Sequence, residues 1–292
     1  MNNLSDRIKG IIFIILSAFG FAVMSAFVKL AGDIPSFQKT FFRNLVSCLI
    51  ALIFIIKNRE SFFGKRENQK LLILRSTLGT IGIVFNYYAI DKLILSDANM
   101  LNKLSPFFVI IFSALFIGEK INSKQIISIV IAFIGTLFII KPTFNLDIFP
   151  FIIGILGAIF AAGAYTCLRV LGNKEKHYTV VFYFSLFSLI VIFPIMLAVY
   201  KTMTMLQLFY LLMAGVFASI GQFGITLAYK YAPAKEISIF DYSNIIFSAI
   251  ISFMIFGVLP DSLSFIGYGV IFFASLYMFM YNKKLDKITK SK

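Results

Sequence analysis

The stretch Asp97–Glu119, DANMLNKLSPFFVIIFSALFIGE, decides how this chain reads. Its second half is apolar enough for lipid, while its first half carries Asn99, Asn102, Lys103 and Pro106. Those four stand at i, i+3, i+4 and i+7, so a helix places them on one face. A soluble helix would turn that face to water. Here the neighbouring segments are themselves apolar, and a lysine among them needs a cavity or a partner. The stretch therefore reads as a transmembrane helix with one wall on an aqueous central pocket. Pro106 removes one backbone hydrogen bond and frees a carbonyl near Asn102 for water or ligand.

Outward from this stretch the same character continues. The 292 residues are 60% hydrophobic and 14% charged, with a mean hydropathy of +0.92. Apolar runs of roughly 18 residues or more recur along the whole length, enough to cross a ~30 Å hydrocarbon core. The fold class is all-α integral membrane. Ten spans are predicted, near 10–30, 37–56, 70–90, 97–117, 124–141, 150–171, 179–200, 207–229, 236–256 and 263–281. The first apolar run reads as a span and not as a cleavable signal. Cys48 and Cys167 fall inside spans and read as small buried apolar side chains. The net charge of +14 sits mostly in short loops and at the ends, which argues for a lipid bilayer as partner and against nucleic acid.

Lysine and arginine also orient the chain. With a cytoplasmic N-terminus, nineteen fall on the cytoplasmic side and five (Lys29, Lys39, Lys92, Lys141 and Lys201) on the other. Both termini are therefore expected in the cytoplasm, in a multi-pass protein of the plasma membrane. Shifting the chain by 139 positions brings its two halves into register. Thr80-Ile81-Gly82 falls on Ser219-Ile220-Gly221, Gly118 on Gly257, and Asn99, Asn102 and Lys103 on Ser238, Asp241 and Tyr242. Five spans is an odd number, so the second half is expected upside down relative to the first. The organisation expected is one membrane domain of two inverted five-helix repeats, residues 1–145 and 146–292, of the kind secondary transporters use.

The chain resembles the EamA branch of the drug/metabolite transporter superfamily. The resemblance rests on FFRN at Phe41–Asn44, LSPFF…FIGEKIN across Leu104–Asn122, and IAFIGTLFII in the fifth span. It covers essentially the whole chain and says little about substrate. It implies a central cavity walled by the first, third, fourth, sixth, eighth and ninth spans, with the fifth and tenth as scaffold. The second half departs from it where Gly118-Glu119 becomes Gly257-Val258, so a role for the turn glutamate extends only to the first half.

Chemistry is sparse. The sequence has no phosphate loop, no Ser/His/Asp set, no His/Glu metal cluster and no dinucleotide fingerprint, which argues against an enzyme and leaves no cofactor or metal to expect. The informative residues are the charges within spans: Arg43, Arg75, Lys103 and Asp241. Each costs on the order of 2.5–3.5 kcal/mol at a helix centre unless paired or hydrated. Counted from the span ends, depth pairs Arg75 with Asp241 and keeps Lys103 from Asp241. Snorkelling accounts equally well for Arg43 and Arg75. Asn86, Tyr87, Tyr165, Gln222, Thr226 and Tyr242 complete the candidate substrate-binding set with Asn99 and Asn102, although interhelical hydrogen bonding would explain any one of them. The phenylalanines read as lipid-facing filler.

The function expected is a secondary-active transporter that moves a small polar metabolite, anionic or zwitterionic, by alternating access. The same features fit an exporter of amphipathic or drug-like solutes, or a membrane scaffold or binding protein without transport. Substrate identity, direction, any coupling ion or counter-substrate, and the choice between monomer and homodimer are not written in these residues.

Overall fold

The computed structural model describes residues 6–118, 122–140, 148–171, 174–231 and 238–290. Within these helices the side chains at 117, 140, 169, 226, 229, 230, 238, 239 and 282–290 lie outside the description, and with them fall Thr226 and, between helices, Glu119. The described residues are helical, with no strand among them. In order they form α1 Asp6–Leu30, α2 Ser36–Asn58, α3 Gln69–Lys92, α4 Leu95–Asn102, α5 Ser105–Phe112, α6 Ser123–Ile140, α7 Phe149–Leu171, α8 His177–Ala198, α9 Met205–Tyr231, α10 Ser243–Phe256 and α11 Ser262–Lys290. A π-turn, Ser113–Ile117, extends α5, and a 3-10 turn, Ser238–Tyr242, leads into α10. Eight helical stretches are long and apolar enough to cross a membrane, one of them the run Leu95–Phe116; two shorter apolar helices are Ser123–Ile139 and Phe240–Phe256.

Local chemistry explains the ends and breaks. Pro35 stands at the cap of α2, and Pro106 in the first turn of α5, where a missing N–H costs least. Gly118 and Gly257 close their segments in the left-handed region, at φ 78° and 66°, a conformation that suits glycine.

The helices pair in a definite pattern. α1 packs along α9, α3 along α7, α2 along α8 and α6 along α11. Two of these seams need glycine. A Cβ on Gly20 of α1 would meet the Gly221 backbone nitrogen at 2.9 Å, and one on Gly82 of α3 would meet the Ala161 nitrogen at 3.1 Å and the Gly157 oxygen at 3.2 Å. Small residues let helix backbones approach where lipid gives no hydrophobic drive to pack. Polar side chains add ties: Ser17 Oγ donates to the Gly221 carbonyl at 2.7 Å across the α1–α9 seam, and Asn244 Nδ2 of α10 to the Ala18 carbonyl of α1 at 2.8 Å. Cys48 and Cys167 are free and buried.

Two expectations change at the helix ends. Lys39, counted as an outer-side basic residue, lies in α2 at 0% exposure and pairs with Asp91 of α3. Lys29 is likewise in α1, where its Nζ donates to the carbonyls of Ile90 and Leu93 and stands 5.6 Å from the Phe256 ring. α1 ends at Leu30 and α2 begins at Ser36, within a residue of the expected span ends, so both lysines stay near the helix ends and act there as interhelical ties.

Candidate functional site

The carbonyl expected to be freed by Pro106 is where the site begins, and the helix is interrupted there. α4 stops at Asn102 and α5 starts at Ser105, and the N–H groups of Phe107 and Phe108 both go to the Leu104 carbonyl. The Lys103 carbonyl, left without a helical partner, accepts the Tyr242 hydroxyl at 3.2 Å. Tyr242 in turn shares a hydrogen bond with Ser275 of α11. Beside it, Lys103 Nζ donates to Asp241 Oδ2 at 2.5 Å, with side-chain exposures of 11% and 19%.

This pair overturns the depth argument, which joined Arg75 to Asp241. That argument treated two spans as regular helices rising 1.5 Å per residue from their ends. One is interrupted, and the other enters through a 3-10 turn, stretched to about 2.0 Å per residue. The lysine stem also reaches well beyond its own Cα. Two antiparallel helices therefore meet charge to charge, with Asn99 on Ser248 further along the same crossing.

The polar face is consequently less open than a water-lined wall. Asn99 is 5% exposed and engaged at both ends of its amide: Ser25 Oγ donates to its Oδ1 at 3.1 Å, and its Nδ2 donates to Ser248 Oγ at 2.8 Å. It ties α1, α4 and α10 together. Asn102 Nδ2 reaches Asn86 Oδ1 at 3.4 Å, and both residues are part-buried. Tyr87 is buried at 1%, its hydroxyl on Met24 Sδ at 3.5 Å. Gln222 is part-buried and partnered. Tyr165 differs in being 38% exposed while standing within electrostatic reach of Asp241, Arg75 and Arg43.

The arginines form a second centre. Arg43 and Arg75 are each 4% exposed, and both stand over the Phe184 ring of α8, with Cζ 5.8 Å and 3.9 Å from its centroid. Arg43 Nη1 donates to Asn44 Oδ1 at 2.5 Å, and Asn44 Nδ2 donates on to Ser188 Oγ at 2.7 Å. Arg43 Nε, Arg75 Nε and Arg75 Nη1 are buried without a hydrogen-bond partner. Neither guanidinium ties down a backbone carbonyl among these contacts, so the snorkelling explanation does not describe them. Two like charges within about 10 Å at an effective dielectric of ~20 repel by on the order of 2 kcal/mol. Phe184 offsets part of that through its π-face. Phe184 escaped the sequence reading, which treated phenylalanine as filler, and periodicity gave no signal to single it out. A shallow surface depression lined by Phe41, Leu189, Ile190 and Phe193 offers only apolar side chains and reads as a seam for lipid.

Comparison with known proteins adds to this geometry. The model of the EamA-like transporter family matches the chain twice, over residues 8–141 and 148–280. The pseudopaline exporter CntI of Pseudomonas aeruginosa is 33% identical over 267 residues, covering 90% of this chain and 93% of its own. The riboflavin transporter of Brucella anthropi is 25% identical, covering 88% and 94%. A solved crystal structure superposes with a TM-score of 0.65 at 13% identity, covering 92% of this chain and 98% of its own, a likeness of fold.

Proposed function

The chain belongs to the EamA-like transporter family, and from that premise we propose that it is a secondary-active transporter of a small polar solute, anionic or zwitterionic. Its relatives are named as transporters and not as enzymes, and it is a multi-pass membrane protein by its helices. The direction of transport and the solute go beyond those names, which cover an exporter of pseudopaline and a transporter of riboflavin.

The observation that carries the reading is the junction of Lys103, Asp241 and Tyr242. Tyr242 meets the Lys103 carbonyl across 139 residues, the offset that equates these two positions in the sequence. Equivalent positions touch each other only near a two-fold axis, so this contact supports two inverted repeats, 1–145 and 146–292, of five spans each. The same symmetry accounts for the crossing of α1 with α9 at Gly20 and Gly221, and of α3 with α7 at Gly82 and Gly157. The double match of the family model, over residues 8–141 and 148–280, is in keeping with that reading.

In this reading the two broken segments meet at the midplane, where interrupted helices of transporters hold substrate. Lys103, Asp241, Tyr242, Asn102, Asn86, Tyr165, Gln222, Arg43 and Arg75 then line or flank the path, while Tyr87 and Asn99 brace it. Asp241 neutralises Lys103, so the excess positive charge expected within the spans resides on Arg43 and Arg75. An anionic group on the solute answers that charge. Rocking of one half against the other would part the Lys103–Asp241 pair and expose the centre to alternate sides. The excess of basic residues on one side supports a cytoplasmic location for both termini, in a protein of the plasma membrane.

The test begins with a melting-temperature screen of the purified protein against a metabolite panel, since a ligand that binds only the folded state raises the transition. A hit is then carried into proteoliposomes. Gradient-dependent flux supports the transporter; binding without flux supports a scaffold.

A further inference from the structure

Arg43 and Arg75 hold charge that no carboxylate among the described residues answers with an ion pair. A guanidinium carries five donors in a planar fork and stays protonated in proteins. Three of the guanidinium nitrogens, Arg43 Nε, Arg75 Nε and Arg75 Nη1, are buried with no acceptor, although buried polar groups in native proteins are nearly always satisfied. Among the described residues, ion pairs are made by Lys9, Lys39, Lys103, Lys176 and Lys201, and by neither arginine. Asp241 gives Oδ2 to Lys103, and its Oδ1 is buried without a hydrogen-bond partner, so it too stands outside ion-pair reach of both arginines.

The two forks are also held in place. Phe184 is buried at 3% and stands against both Cζ atoms, and the Asn44–Ser188 relay fixes one edge of the Arg43 fork while leaving its Nε open. We infer that Arg43 and Arg75, seated on Phe184, form an oxyanion-binding subsite that takes the carboxylate or phosphate group of the transported solute. This deepens the transport reading and rests on it only for what delivers the anion. Parallel N–H donors match two oxygens of one planar or tetrahedral oxyanion, a geometry that a halide cannot use. Two guanidinium groups favour a dianion over a monoanion. Tyr165, part-exposed and within reach of both arginines, stands where the rest of the solute would lie. Lys103, already paired, is not the anion anchor.

An anionic lipid headgroup offers the same phosphate chemistry, so the test separates the two sources. Full-length protein is melted in neutral detergent and in phosphatidylcholine nanodiscs, with and without phosphatidylglycerol. The chain has no tryptophan, so a thiol-reactive dye reports unfolding through the buried Cys48 and Cys167. Inorganic phosphate, succinate and chloride are titrated at matched ionic strength. Expected is a saturable rise of several degrees with phosphate and succinate and none with chloride. Arg43→Lys and Arg75→Lys keep the charge and much of the stem but lose the fork, and each weakens the midpoint at least tenfold. Lys176→Gln, on the surface, leaves the midpoint unchanged. Should either arginine variant fail to purify, Phe184→Leu removes the ring that seats both forks and weakens the midpoint likewise.

No response to either oxyanion in the wild type, or an undiminished response in the variants, overturns the subsite. A response abolished by phosphatidylglycerol assigns the site to a lipid headgroup and overturns the solute assignment. Oxyanion binding that survives the absence of any solute flux contradicts transport and leaves the subsite standing; flux indifferent to both arginine variants does the reverse.

Discussion

Lys103 Nζ donates to Asp241 Oδ2 at 2.5 Å, joining the break after α4 to the 3-10 turn before α10. Both side chains are largely covered, so neither charge is stable there without the other. Removing one partner of a buried pair costs roughly 3–5 kcal/mol, because the survivor keeps its desolvation penalty. Lys103→Met and Asp241→Leu are each expected to lower the melting temperature, and the double variant to lose less than the two together. Strictly additive losses in that cycle would mean the pair carries no coupling.

The Lys39–Asp91 pair supplies a contrast with a surface pair. Lys39 has 0% side-chain exposure and Asp91 19%, whereas Lys201 and Asp33 are 54% and 95% exposed at 3.9 Å. Asp91→Asn is expected to destabilise strongly by stranding a buried ammonium, and Asp33→Asn to leave the melting temperature where it was. Equal effects from the two would refute the burial argument.

Helix approach predicts a third effect. On Gly20 a methyl would press on the Gly221 backbone at 2.9 Å, while on Gly269 it meets nothing within 4 Å. Overpacking of this kind costs about 1–3 kcal/mol. Gly20→Ala therefore lowers thermal stability and Gly269→Ala does not.

Topology is checked by cysteine accessibility. Asn68 would be a poor probe, since it is 4% exposed and donates to Glu175 Oε1 at 2.7 Å. Its exposed neighbour Glu67, changed to Cys, is expected to react only with reagents that reach the cytoplasm, and Asp33→Cys to react from outside. Both native cysteines are buried and give little background. Outside labelling at position 67 would invert the charge-based orientation.

How far residues announced these features depends on what each signal measures. Hydropathy reports transfer from water to lipid, so it located the helices, and Pro106 announced the freed carbonyl because it has no N–H to give, though not that the helix would be interrupted there. Partner choice is a different quantity. Asp241 takes Lys103 because an interruption and a 3-10 turn change the rise along two helices, and depth counted from the span ends is blind to that. The arginines were visible as charges within spans, but not that one phenylalanine seats both. Phe184 has the composition of lipid-facing filler and the position of a wall, and only the packing of α2, α3 and α8 distinguishes them. Asn99 shows the opposite limit: the polar stripe was real, yet two serines from distant segments consume its amide.

Solute flux in proteoliposomes tests the central claim most directly. The solute is the ligand that raises the melting temperature, compared with an analogue in which its anionic group is replaced by an amine. The account predicts accumulation of the anionic solute driven by a gradient, little accumulation of the amine, and loss of flux in an Arg75→Leu variant that still purifies as a folded protein. Equal accumulation of both solutes, or full flux in that variant, would contradict it.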